Sequence, residues 1–163
     1  MAQTVSHQQS SETARRWSLA IVRLALGIPM LISGVGKVFA IGPKSMGISG
    51  FTGFLASLGV PLPTIAAWGV GLLELVGGIL LLAGLAVRIV SVVIAIDMLV
   101  ATLLFHLPNG YPAASNGIEL TLTLTLIAVA LSLSGPGALS IEHVLFDHED
   151  SSSDSSQARV VDR

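Results

Sequence analysis

Four long apolar stretches constrain this chain more than anything else in it. They run roughly from Trp17 to Phe39, Thr64 to Gly84, Ile89 to His106 and Gly117 to Ser134. Each approaches the ~20 residues that carry a helix across a ~30 Å hydrocarbon core. Composition agrees. Of 163 residues, 52% are hydrophobic and only 11% charged, against about 25% charged in an ordinary soluble domain. Mean hydropathy is +0.82. Too little polar surface is left to keep the outside of such a chain wet, so the bilayer is its solvent. A net charge of −2 without a basic run excludes a nucleic-acid partner. Zero cysteines exclude disulfides, iron–sulfur clusters, thiolate metal sites and dithiol chemistry by the chain itself.

Lipid offers backbone groups no partners, so the spans must be helices or a closed barrel. The fourth stretch, ELTLTLTLIAVALSLS, alternates with period two, which is a strand signature. One isolated strand cannot cross a bilayer, and no set of barrel strands accompanies it, so it too is read as helix. Thr121 and Thr125 then share a face on which their hydroxyls can bond carbonyls one turn back, while Thr123 points away with Glu119. The expected fold is an all-α integral membrane four-helix bundle. The short link over 85–88 makes the second and third helices antiparallel neighbours. Within the long 37–63 connection, Phe51, Phe54, Leu55 and Leu58 fall at helical spacing. They predict a short helix in the membrane interface, with a lid over the bundle as the alternative.

Residues 1–14 and 147–163 read as disordered polar tails flanking a membrane domain over 15–146. Arg15-Arg16 before an apolar run resembles an export signal. The run is too long, contains Arg23 and lacks a small-residue cleavage site, so an uncleaved helix is expected. Arg15, Arg16 and Arg88 flank one side, Lys37 and Lys44 the other. The arginine-rich side is therefore expected inside, with both termini cytoplasmic. His143 and His148 in EHVLFDHED could hold a metal ion, but an acidic solvated tail is the favoured reading, and no metal is expected.

Ionisable residues within spans are costly unless they pair or face a cavity, so each is a functional hypothesis. Arg23, Gly27, Met30, Gly34 and Lys37 form one stripe of the first helix. Its glycines admit a close neighbour. Gly71, Gly77 and Gly78 flank Glu74 on its own face of the second helix, which turns Glu74 toward a helix contact. Ser91, Ala95, Met98, Thr102 and His106 make a stripe on the third, from which Asp97 stands apart. By depth, Arg23 is the expected partner of Glu74, and Lys37, His106 and Glu119 form a polar cluster near the outer boundary. The ligand-binding or proton-relay candidates are thus Lys37, Glu74, His106, Glu119 and Arg23. Arg23, Glu74, Asp97 and Arg88 are also candidates for ion pairs that only fix which helix packs on which. Lys37 and Arg88 can equally be boundary anchors. No catalytic residue is assigned.

These residues together resemble the DoxX family. The likeness rests on RLALGIPMLISGVGK at 23–37, F-x-x-F-L-x-x-L-G-V-P-x-P at 51–63 and LLELVGGILLLAGLAVR at 72–88. MLVATLLFH at 98–106, GIEL at 117–120 and GPGALSIE at 135–142 continue it in order. It covers about 17–143. The resemblance implies a small four-helix protein of the bacterial inner membrane. It also implies membrane redox work: one branch is similar to a subunit of an archaeal thiosulfate:quinone oxidoreductase, and a mycobacterial relative is linked to oxidative-stress defence. Arg23, Lys37, Glu74, Arg88, His106 and Glu119 match the family's polar positions, whereas Asp97 has no evident counterpart.

Two classes of function are left open. One is a membrane subunit of a quinone-linked redox or oxidative-stress-defence complex. There Lys37, His106 and Glu119 hold a quinone and a soluble or membrane partner protein supplies electrons. The other is a non-enzymatic scaffold or small-solute-binding bundle. The residues require no cofactor and are compatible with an oligomer.

Overall fold

The computed structural model describes residues 2–141, with side chains from residue 11. The expected acidic tail over 147–163, with His143 and His148, lies outside the described residues. Among the described residues the main elements are α1 (Ala2–Phe39), α2 (Gly47–Ser57), α3 (Pro63–Ala83), α4 (Val87–Ala101) and α5 (Glu119–Ser134). A π-helical turn, Thr102–His106, and a 3-10 turn, Leu107–Asn109, prolong α4. No strand occurs among the described residues, and the alternating fourth stretch is helix. α1 begins at Ala2, inside the stretch expected as a polar tail.

The helices turn their apolar stripes outward and their small and polar residues inward. On α1, Ile21, Leu24, Ile28 and Ile32 are exposed, and on α3 so are Ile65, Trp68, Leu72, Val76 and Ile79. Arg23, Ser33, Glu74, Ser91, Thr121 and Thr125 are buried. A soluble helix does the reverse, so the surrounding solvent is apolar. Among the described residues three helices are long and apolar enough to cross a membrane: Ser11–Phe39, Pro63–Ala83 and Val87–Asn109. α5 is apolar but has 16 residues, about 24 Å of helix.

α1 packs along α3, and α5 along α4. The α1–α3 seam is set by glycine. A Cβ on Gly34 would sit 2.3 Å from the Leu75 backbone nitrogen, and one on Gly78 would sit 2.6 Å from that of Leu31. Gly27 meets Leu82 and Gly71 meets Val38. Each step up one helix matches a step down the other, so the two run antiparallel in a fixed register. Leu26, Met30, Leu81, Ile94, Met98, Leu124 and Leu131 fill the shared core.

α3 ends where Gly84 takes a left-handed conformation (φ 72°), with Gly84 N–H donating to Leu81 O and Leu85 N–H to Leu80 O. This is the usual glycine C-cap. The three-residue turn returns the chain as α4, antiparallel to α3 as the short link required. At this end the segment 135–141 straps across the bundle. Arg23 donates to Pro136 O and Leu139 O, both at 2.9 Å, and Ser140 Oγ donates to Gly84 O at 2.7 Å.

Candidate functional site

The opposite end of the bundle holds a cavity of about 630 Å³ between α1, α2, α3 and α4. Its walls include Phe51, Phe54 and Leu55 from α2, Leu58 just after it, and Phe105 from the π turn. Phe54 meets Phe105 edge to face, with centroids 4.6 Å apart. The helically spaced apolar residues of α2 thus cover the cavity.

One end of the cavity is polar. Lys37 and Glu74 form a hydrogen-bonded ion pair, and Lys37 Nζ also donates to Ser33 Oγ at 3.1 Å. The ammonium stands 4.7 Å from the centroid of the Phe51 ring, within range of its negative face. Glu74 is only 2% exposed, whereas Lys37 retains 17%. A lone carboxylate so deep in a membrane bundle would cost several kcal/mol, and a direct ammonium partner offsets much of that.

Arg23 was the expected partner of Glu74, and the structure gives that place to Lys37. The reason is register. If the α1–α3 pairing continues, Arg23 comes opposite the α3–α4 turn, while Lys37 comes opposite Leu72, beside Glu74. Arg23 belongs to the other end, where among the described residues it meets carbonyl oxygens and its Nε has no partner. The stripe itself is as expected: Arg23, Gly27, Met30 and Gly34 are all buried.

Asp97 lines the cavity with Lys37 and Glu74 and interacts electrostatically with both. Its Oδ2 is buried and makes no hydrogen bond. Sequence spacing set Asp97 apart from the His106 stripe, because residues nine apart in an unbroken α-helix lie roughly on opposite sides. The π turn over Thr102–His106 takes more residues per turn. It swings His106 back, and both residues line one cavity.

His106 Nδ1 lies 2.6 Å from Asn116 O. A carbonyl only accepts, so this nitrogen carries the proton. Glu119 is not in the cavity: it is exposed, and its Oε2 accepts from Ala113 N–H at 2.9 Å. The expected trio of Lys37, His106 and Glu119 therefore separates, with Glu119 serving the 107–118 loop. Arg88 is exposed on the far end, beside Gly135. Ser33 was missed by sequence reasoning, although its position four residues before Lys37 puts it on the same face. Thr125 Oγ1 donates to Thr121 O at 2.7 Å, as expected for that face of α5.

Among known proteins, the chain is 30% identical over 138 residues to an uncharacterized protein of Haemophilus influenzae, covering 83% of this chain and 96% of that one. It is 33% identical over 79 residues to "Putative oxidoreductase CatD" of Bacillus subtilis, covering 48% of this chain and 52% of that one. No solved structure matches. The DoxX family model matches residues 18–107, a region that holds α2, α3 and α4, nearly all of the apolar part of α1, and the cavity's ion pair with Asp97 and His106. This multi-pass membrane protein belongs to the DoxX family.

Proposed function

We propose that this DoxX protein is a membrane subunit of a quinone-linked redox or oxidative-stress-defence system, and that its cavity holds a quinone-type ring. The carrying observation is the cavity: about 630 Å³ walled by Phe51, Phe54 and Phe105, with charged groups supplied by Lys37, Lys44, Glu74 and Asp97. Small-molecule sites have this size and this mix of apolar wall with a few placed polar groups. Lys37 keeps one N–H beyond its bonds to Ser33 and Glu74, which suits a ring oxygen. The redox part draws on the relative named an oxidoreductase. A chain without cysteines takes its electrons from a partner protein in this reading.

The same proposal extends to topology. α5 makes the fourth crossing, and α2 lies at the membrane interface over the cavity. The arginine-bearing end faces the cytoplasm of a bacterial inner membrane, following the positive-inside rule.

The test is purification in mild detergent, solvent extraction and absorbance. Stoichiometric quinone from the wild type, lost in a folded Lys37→Met variant, supports the reading; a wild type that carries none and binds none when it is added sinks it. One observation favours a scaffold instead: the Lys37–Glu74 pair sits where α1 and α3 approach most closely, at Gly34 and Leu75. A Lys37→Met/Glu74→Leu protein that keeps its thermal stability argues against that second reading, because packing then does not need the pair.

A further inference from the structure

The cavity is bounded by two kinds of lining. Where the loop before α2 lines it, the residues are polar, with Lys44 and Ser45. That loop is packed onto α1 through its backbone. A Cβ on Gly36 would sit 2.2 Å from Lys44 O, and Met46 N–H donates to Gly36 O at 3.2 Å. Elsewhere the lining is aliphatic, with Leu58 and Val60 after α2 and Val100 and Leu104 along α4 and its π turn.

Val100 and Leu104 belong to the outer surface as well. With Ile89, Val93 and Ile96 they make an exposed stripe at steps of three and four residues, the face turned to lipid. Of these five, only Val100 and Leu104 line the cavity, so the cavity meets the lipid face at their level. Leu58, 37% exposed, does the same from the α2 side. Val100 and Leu104 stand nine and five residues before the end of the Val87–Asn109 span. At about 1.5 Å per residue they lie roughly 13 and 8 Å inside it, a depth of hydrocarbon rather than headgroups.

Resting on the quinone reading above, we infer that this aliphatic rim is a lateral opening to the bilayer and that the ligand is a quinone with a long hydrocarbon tail. Its ring lies toward Lys37, and its tail leaves between Leu58 and Leu104. A tail on that route stays among aliphatic groups from cavity to lipid. Led out past Lys44, it would bring methylenes into water, where each is penalised. Val60, Val100 and Leu104 are then the residues that decide whether a tail is accepted.

Equilibrium dialysis of the full chain in mild detergent tests this with a benzoquinone lacking a side chain and the same ring bearing a ten-carbon tail. Leu104→Trp fills the opening. It should weaken the tailed probe at least about tenfold more than the tailless one. A third probe, with a diazirine at the end of the tail, reports where the tail lies. After illumination, label on Leu58, Val60, Val100 or Leu104 that excess unlabelled tailed quinone removes is the expected result. Label on Ile89 or Ile96, on the same stripe but away from the cavity, should not be competed. Competed label on the 43–46 loop overturns the inference, as does a wild type that binds the tailless ring and refuses the tailed one. Both results leave the proposed function standing. Binding of neither ring overturns the proposed function and the inference with it. Should Leu104→Trp fail to fold, the position of the competed label in the wild type still decides.

Discussion

At the residue scale, the chemistry concentrates in Lys37, Glu74 and Asp97, which come from three helices. A buried ion pair is weak evidence for stability, but breaking one is costly because it strands the other charge. Glu74→Leu or Lys37→Met alone is expected to destabilise the protein by about 3–5 kcal/mol. The double variant should recover most of that loss while losing ring binding. Denaturant unfolding in detergent measures the first effect and dialysis the second. A double variant no more stable than the worse single one would show that the pair does more than neutralise itself. Asp97 differs, since its Oδ2 has nothing to lose from the protein side.

At the element scale, the α1–α3 seam is a backbone-on-backbone contact. Gly34→Ala would place a methyl 2.3 Å from the Leu75 nitrogen, and Gly78→Ala one 2.6 Å from the Leu31 nitrogen. Neither neighbour can rotate away, so each variant should cost at least the ~1–3 kcal/mol of an overpacked core. Gly69→Ala, on the open face of α3, is the control and should gain about 0.5–1 kcal/mol. Thermal melts of the three variants check the contrast; equal melting temperatures would contradict the seam. The strap over 135–141 depends on Arg23. Arg23→Met leaves the carbonyls of Pro136 and Leu139 without that donor, and limited proteolysis should then cut within the strap where the wild type resists. α4 shows how one irregular turn changes a site: without the π turn, Asp97 and His106 would not both line the cavity.

At the scale of the whole molecule, outward apolar stripes and inward polar ones require a bilayer. The absence of native cysteine makes sidedness directly measurable. Ser45→Cys and Asn109→Cys lie at the cavity end, and Ala86→Cys lies in the turn at the other. In intact cells an impermeant maleimide is expected to label the first two, and Ala86→Cys only after permeabilisation. Labelling of Ser45→Cys and Ala86→Cys from the same side would refute a crossing by α3. The reverse pattern would invert the orientation and keep the crossings.

The sequence by itself determined the helical class, the bilayer as solvent and the inward faces of α1 and α3. Those features are local: glycines and charges at spacings of three and four lie on one face whatever the neighbours do. The helical reading of α5 also followed from sequence, because lipid forbids a lone strand. Which charges meet was decided only by tertiary structure. Glu74 takes Lys37 rather than Arg23 because axial register between α1 and α3 comes from close approach at Gly34 and Gly78, a property of two helices together. Asp97 enters the site because a π turn shifts the phase of the chain after it, and regular periodicity cannot show such a shift. Glu119 leaves the site because the 107–118 loop folds back to supply a backbone N–H, a contact no helical spacing encodes.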